Sequence, residues 1–154
     1  MRILAIALFV CVLSQSALAA ALPPPAKTDR CAVCGMLVAP FRQWVAGFEL
    51  KDGRHFYFDG PKDMFVCLFD LPGCLPGVDE EQLAGVFVTE YYSTRVLPAT
   101  DVVFVTGSDV LGPMGQELVP VLGREAAETF RRDHGGQQLK RYDGRGLVEL
   151  PAQP

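Results

Sequence analysis

The side chains with the most distinctive chemistry are two cysteines, Cys31 and Cys34, which are separated by two residues. Gly35 follows them and lets the backbone turn tightly enough for both sulfurs to face one ion. The thioether of Met36 comes next and adds a third sulfur. Soft sulfur ligands select copper(I) over hard cations, so Cys31, Cys34 and Met36 are candidate ligands of a soft-metal site.

The cysteine pair alone is compatible with a metal site, a structural disulfide or a redox-active dithiol, because spacing does not separate the three. Export of the chain would favour a disulfide. A thioredoxin-like site normally places its pair between a strand and a helix. Here a proline-rich segment precedes the pair, and this position weakens the redox interpretation.

A methionine in a glycine-rich segment is the second candidate. Met114 lies in residues 107–118, where three glycines and Pro113 favour a loop over a core helix. A lone methionine is usually core filler, but a methionine flanked by glycine in a polar loop is less easily explained in that way. We therefore expect Met114 to be a further metal ligand.

Two further cysteines and two histidines have simpler explanations. Cys67 and Cys74 are expected to form a disulfide that links the end of a helix to the following turn, with buried free thiols as the alternative. His134 is placed at the end of a predicted helix, where the dipole favours a cationic side chain. His55 is placed in a strand, and either histidine could complete a metal site.

The composition and the missing motifs exclude several classes of function. The net charge is -4 and no basic cluster occurs, so a nucleic-acid partner is not expected. The sequence contains no G-x-S-x-G, zincin or P-loop pattern. We therefore expect a binding protein and not an enzyme.

The beginning of the chain predicts export to the periplasm. Residues 1–21 have the pattern of a secretory signal peptide, with an apolar run too short for a permanent membrane span. A lipid anchor on Cys11 is less favoured, because Val10 is not the small residue that a lipobox requires. Residues 22–30 are predicted to be a proline-rich extended spacer. No later stretch is apolar and long enough to cross a membrane.

The residues between the cysteine pair and position 98 alternate between strand and helix patterns. Strands are predicted at residues 44–50 and 55–58, joined by an Asp-Gly turn, and another at 86–92. A helix is expected to begin at Pro61, with Asp59 as its cap, and to end at Pro72-Gly73. Its buried face is expected to comprise Met64, Phe65, Leu68 and Phe69.

The second half repeats this order. Strands are predicted at 102–106, 117–122 and 139–142, with a helix at 123–133. The sequence therefore predicts an α+β fold made of two small ββαβ units in tandem, each with an antiparallel sheet. The units would span residues 31–98 and 99–150, and their thin cores are expected to pack together.

Three motifs in this order resemble the nitrous-oxide reductase accessory protein (NosL) family. They are residues 31–36 (CAVCGM), 58–65 (FDGPKDMF) and 107–115 (GSDVLGPMG), and residues 88–92 also resemble the middle strand of the family. The resemblance extends from about Cys31 to Tyr142. It implies a periplasmic copper(I)-binding protein that serves assembly of nitrous-oxide reductase, with a tandem ββαβ fold similar to part of organomercurial lyase.

The resemblance also implies a ligand set of one cysteine, one methionine and one histidine. The first two correspond here to Cys34 or Cys31 and to Met114. Gln116 stands where the family typically has the histidine, and its amide oxygen is a poor copper(I) ligand. Members of the family are also typically lipid-anchored, whereas this leader is typical of ordinary cleavage.

Three functional hypotheses follow from these observations. The first is a copper(I) chaperone that receives the ion from a copper donor and delivers it to nitrous-oxide reductase or a related cuproenzyme. The second is a periplasmic dithiol oxidoreductase that uses Cys31 and Cys34, which requires one thiol with a depressed pKa. The third is a non-catalytic module whose cysteines form only structural disulfides.

Overall fold

The computed structural model of the chain describes residues 22–151. The predicted signal peptide, residues 1–21, lies outside this range, as does the lipidation alternative at Cys11. The structure contains helices and antiparallel sheets, which confirms the predicted α+β class. Within the described residues, no helix combines the length and the apolar character that a membrane span requires.

The first sheet has four antiparallel strands in the order β2-β1-β3-β4. β1 and β2 form a hairpin around Gly53, whose positive φ suits the tight turn. Strand β4, which covers the outer edge of β3, was not predicted from the sequence. The strands are β1 (Ala46–Leu50), β2 (His55–Phe58), β3 (Leu83–Thr89) and β4 (Val96–Pro98).

Between β2 and β3 the chain forms two helices, α1 (Pro61–Leu68) and α2 (Leu71–Cys74). The prediction that one helix ends at Pro72-Gly73 is wrong, because Pro72 lies at the start of α2, where proline is well tolerated. Phe69 follows the last turn of α1 and is 52% exposed, so it does not belong to the buried face. The expected disulfide between Cys67 and Cys74 is present and joins the two helices.

The second half contains a second four-stranded antiparallel sheet, with the order β10-β9-β5-β8. The two sheets have the same topology. The strand that comes first in the chain (β1 or β5) lies between the next two strands of its sheet (β2 and β3, or β8 and β9). The last strand (β4 or β10) pairs with the outer edge of β3 or β9. The last strand was again not predicted. The elements are β5 (Val102–Thr106), β6 (Leu111–Gly112), β7 (Gly115–Gln116), β8 (Val119–Leu122), α3 (Arg124–Asp133), β9 (Gln138–Tyr142) and β10 (Leu147–Leu150).

The two halves share a hydrophobic core. This was expected, because the core predicted for each half alone is thin. The ring of Phe65 on α1 contacts Phe104 on β5 edge to face, at 5.1 Å between centroids, and Tyr142 on β9 at 5.4 Å. All three side chains belong to one buried cluster. A second cluster, under α3, is formed around Phe130. The shared aromatic contacts fix the orientation of α1, which carries part of the site described below.

The proline-rich residues 22–30 pack against the first sheet. Leu22 is buried, and it lies so close to Gly47 on β1 that an added Cβ there would be 2.8 Å from its side chain. The hydroxyl of Tyr57 donates to the carbonyl of Pro23 at 3.1 Å. Arg30 then forms a single antiparallel bridge with Leu37, which closes the cysteine loop.

Candidate metal centre

The cysteine pair lies in a tight loop closed by main-chain hydrogen bonds. The amide of Cys31 donates to the carbonyl of Met36 at 2.8 Å, and the amide of Gly35 donates to the carbonyl of Cys31 at 2.9 Å. Gly35 adopts a φ of 76°, and an added Cβ there would meet no atom within 4 Å, so its conformation is what requires glycine. The loop buries Cys31 and leaves Cys34 exposed, and neither forms a disulfide.

Two carboxylates, one just before α1 and one in its first turn, face these thiols. The sulfur of Cys31 donates to Oδ2 of Asp63 at 3.5 Å, and the sulfur of Cys34 donates to Oδ1 of Asp59 at 3.5 Å. The four side chains each offer a ligand atom within 4.8 Å of the others. Asp59 therefore does not cap α1 as predicted. The N-cap residue is Gly60, and it makes no side-chain capping bond.

Both thiols are held in the protonated form in the absence of a metal. Burial raises the pKa of Cys31 far above its ordinary value, and the nearby Asp59 carboxylate adds to this effect. Burial also raises the pKa of Cys34, and the negative charge of Asp59 raises it further. An oxidoreductase dithiol needs one thiol with a depressed pKa, so these directions are the opposite of what the oxidoreductase hypothesis requires.

Asp59 has a second oxygen with no partner. The residue is 1% exposed, and its Oδ2 atom has no hydrogen-bond donor among the described residues. A buried carboxylate oxygen without a donor is costly, because desolvation is not compensated. Asp59 belongs to the same cluster as the two thiols, so this carboxylate is available to a proton or a cation that enters the site.

Met114 lies at the tip of a short hairpin formed by β6 and β7. Pro113 and Met114 occupy the turn, and the methionine side chain is 48% exposed. The predicted glycine-rich loop is thus an ordered hairpin, and the methionine is not a core residue. Met36 is half-buried next to the cysteines, where its carbonyl closes the loop.

Lys62 connects the hairpin to the end of α1 that carries the two aspartates. Its ammonium donates to the carbonyls of Met114 and Gln116 at 3.1 and 3.0 Å. Asp59 and Asp63 lie close to Lys62 in the sequence and contact the thiols. The hairpin and the cysteine loop therefore each contact the beginning of α1. No local sequence pattern predicts this connection, because Lys62 and its two acceptors are more than 50 residues apart in the chain.

The two histidines have other partners. Nδ1 of His134 lies 3.0 Å from Oδ1 of Asp109, and its ring packs on Phe130 at 4.3 Å between centroids. Nε2 of His55 lies 4.0 Å from a carboxylate oxygen of Glu49. In the part of the chain that the structure describes, the cluster of potential metal ligands contains no histidine.

Taken together, the tandem four-stranded sheets and the thiol pair beside α1 define a small α+β protein with a sulfur-rich surface site. A family model described as NosL matches residues 24–144. The chain therefore belongs to the NosL family, as its motifs predicted.

A solved structure supports this assignment. The crystal structure of the copper chaperone NosL from Shewanella denitrificans superimposes with a TM-score of 0.67 at 25% sequence identity. The match covers 81% of this chain and 94% of the other. A comparison with curated proteins gave no significant match.

Proposed function

We propose that the protein is a copper(I) chaperone that carries the ion as cargo for the assembly of nitrous-oxide reductase or a related cuproenzyme. The observation that carries the proposal is the pair of cysteines, Cys31 and Cys34, that lie together without forming a disulfide. Membership of the NosL family supports it. The similar Shewanella denitrificans protein is a copper chaperone, which supports it further.

The donor set suits a soft monovalent cation. Cys31 and Cys34 supply two sulfurs, and the thioethers of Met36 and Met114 supply the remaining donors, which soft copper(I) prefers to oxygen. Each new bond between copper and a thiolate releases one proton from the thiol. Asp59 and Asp63 accept hydrogen bonds from these same thiols, so they are placed to receive the two protons.

The unequal exposure of the ligands suits transfer to a second protein. Cys34 and Met114 are exposed, whereas Cys31 is 2% exposed. A ligand of the receiving protein can therefore displace Cys34 or Met114 first, while Cys31 still holds the ion. In this order, copper is never released to solvent. The donor that loads the protein would use the same exposed sulfurs in reverse.

The proposed location is the periplasm. It is supported by the signal-peptide pattern of residues 1–21 and by the disulfide between Cys67 and Cys74, since disulfides persist in oxidising compartments. The proposed partners are a copper donor and a copper-receiving cuproenzyme. In this role the protein is a carrier, and it does not transform a substrate.

The proposal is tested by titrating the reduced protein with copper(I) in competition with a chromophoric copper(I) chelator. We expect one ion per chain, and we expect the combined Cys31→Ser, Cys34→Ser and Met114→Leu variant to lose tight binding. Met64→Leu is the matched control, because this methionine is buried in the core. Unchanged affinity in the triple variant would refute the proposed site.

A further inference from the structure

Two side chains join α1 to the hairpin segment through reciprocal contacts, which we call the clasp. From α1, the ammonium of Lys62 donates to the carbonyls of Met114 and Gln116. From the hairpin segment, the carboxylate of Glu117 accepts the backbone amide of Lys62 at 2.6 Å and the amide of Leu118 at 2.9 Å. Each segment therefore satisfies polar groups of the other.

Glu117 occupies a place that the backbone leaves open for it. Its side chain is almost fully buried, at 5% exposed. A Cβ added at Gly60 would overlap its carboxylate, and one added at Gly112 would lie 3.0 Å from its Cγ. A carboxylate at the N-terminal end of a helix is also favoured by the dipole, so Glu117 does the capping that Gly60 cannot do.

The hairpin that carries Met114 is very short. Among the described residues, its strands β6 and β7 contain two residues each and pair with one another alone. An isolated two-stranded hairpin is marginally stable at best. Contacts to Lys62 and Glu117 therefore help to hold Met114 in place. A ligand that is already in place binds more tightly, because less conformational entropy is lost on binding.

We propose that Lys62 and Glu117 are positioning residues that hold Met114 at the thiol pair, so that copper(I) affinity depends on the clasp through Met114. This inference rests on the proposed function and adds two residues to it. Neither side chain needs to contact the ion. The positive charge of Lys62 would also offset the charge of a loaded thiolate site, so the test must separate positioning from simple electrostatics.

A double-mutant cycle makes this separation, since coupling energies report dependence between residues. Copper(I) affinity is measured for the wild type, Lys62→Leu, Met114→Leu and the double variant, by chelator competition. We expect each single change to weaken binding by about 10- to 100-fold. This range is typical for residues that lie outside the coordination sphere and orient metal ligands. The double variant should bind copper(I) no more weakly than the single variant that has the lower copper(I) affinity.

Glu117 supplies a second, independent comparison. Glu117→Gln keeps an oxygen that can accept the Lys62 amide, and it should bind copper(I) nearly as well as the wild type. Glu117→Ala loses the acceptor and should weaken binding, although it removes the same charge. Circular dichroism and thermal unfolding check that each variant is folded. If Glu117→Ala does not fold, Glu117→Gln and the cycle of Lys62 and Met114 variants remain as tests.

The outcomes distinguish this inference from the proposed function. If Met114→Leu weakens binding but Lys62→Leu does not, or if their losses multiply, the positioning role is refuted and the copper site remains. Equal affinity in Glu117→Gln and Glu117→Ala would also refute it. If Met114→Leu itself has no effect, then Met114 is not a ligand, and both the inference and that part of the proposed site fail.

Discussion

Cys31 and Cys34 belong to one loop but differ in their surroundings. The first is buried beside Asp63, whereas the second is exposed beside Asp59. In both cases a carboxylate accepts a hydrogen bond from the protonated thiol, and burial raises the thiol pKa. These conditions keep the metal-free pair from acting as a ready nucleophile. A soft cation can still displace the protons, because it forms bonds to both sulfurs.

The effect of Asp59 on Cys34 can be measured. Since the carboxylate raises the pKa of Cys34, Asp59→Asn should shift the pH midpoint of Cys34 alkylation to a lower value. The measurement is the rate of reaction with iodoacetamide in the metal-free protein, followed by mass spectrometry. Asp52→Asn, in the distant β1–β2 turn, is the control. A wild-type midpoint below that of an ordinary cysteine would instead support an oxidoreductase.

Sequence reasoning singled out the cysteine pair, which the structure places together, but not the carboxylates beside it. Cys31, Cys34 and Met36 are adjacent in the sequence, so their spacing alone predicts convergence. From the sequence, Asp59 is interpreted as a helix cap because it precedes a helix that begins with proline. Asp63 is interpreted as a solvated acidic residue in the first turn of that helix. Only the packing of α1 against the cysteine loop turns both toward the thiols, and packing of distant segments is not encoded in local spacing.

At the scale of elements, the beginning of α1 is the part of the fold on which the site depends. Asp63 in its first turn and Asp59 just before it face the thiols. The backbone amide of Lys62 is bound by Glu117 from the second half of the chain. The disulfide between Cys67 and Cys74 fixes the other end of this helix to α2. The helix is therefore held at both ends, by a buried carboxylate and by a covalent link.

Burial raises the pKa of Glu117 to about 7, although the bound amides of Leu118 and Lys62 and the charge of Lys62 oppose the shift. The folded protein thus binds this proton more tightly than the unfolded chain does. The stabilisation is complete below the ordinary value of 4.5 and is lost as the pH rises through 7. At about 1.4 kcal/mol per pKa unit, the loss is on the order of 3 kcal/mol.

Glu117→Gln should remove this pH dependence from the metal-free protein. We expect the variant to gain stability relative to the wild type between pH 4.5 and 8, with the gain growing as the wild-type carboxylate ionises. Urea unfolding at several pH values measures it, and Glu81→Gln, an exposed position, is the control. A constant difference across this pH range would show that Glu117 is not responsible.

The edge strands β4 and β10 were not predicted from the sequence, because local patterns carry little information about short edge strands. β4 is three residues long and includes Pro98, and β10 follows a turn near the end of the described chain. Neither has a long alternating pattern, because an edge strand needs only one paired side. The central strands of both sheets were predicted within a few residues, since their apolar and β-branched runs are buried on the core side.

For the molecule as a whole, the shared aromatic core makes the two halves one unit. Phe65 from the first half packs between Phe104 and Tyr142 of the second, and this packing sets the position of α1. The proposed site draws its residues from both halves. Under this proposal, copper binding depends on a core that neither half forms alone.

Replacing Phe104 with alanine tests this dependence. The side chain is fully buried, so we expect the free energy of unfolding to fall by about 3–5 kcal/mol. Because the halves share this core, the variant should still unfold in one cooperative transition. Urea unfolding followed by fluorescence of Trp44 and by circular dichroism would measure both. Two separate transitions would contradict a single shared core.

The central claim is that the thiols of the cysteine loop and the thioether of the hairpin bind the same ion. X-ray absorption at the copper edge tests it most directly, with selenomethionine replacing methionine in the copper(I)-loaded Met36→Leu protein. We predict sulfur neighbours from Cys31 and Cys34 and one selenium neighbour that disappears in the Met114→Leu variant. A copper shell of nitrogen and oxygen without selenium, or a selenium signal that persists in that variant, would contradict the claim.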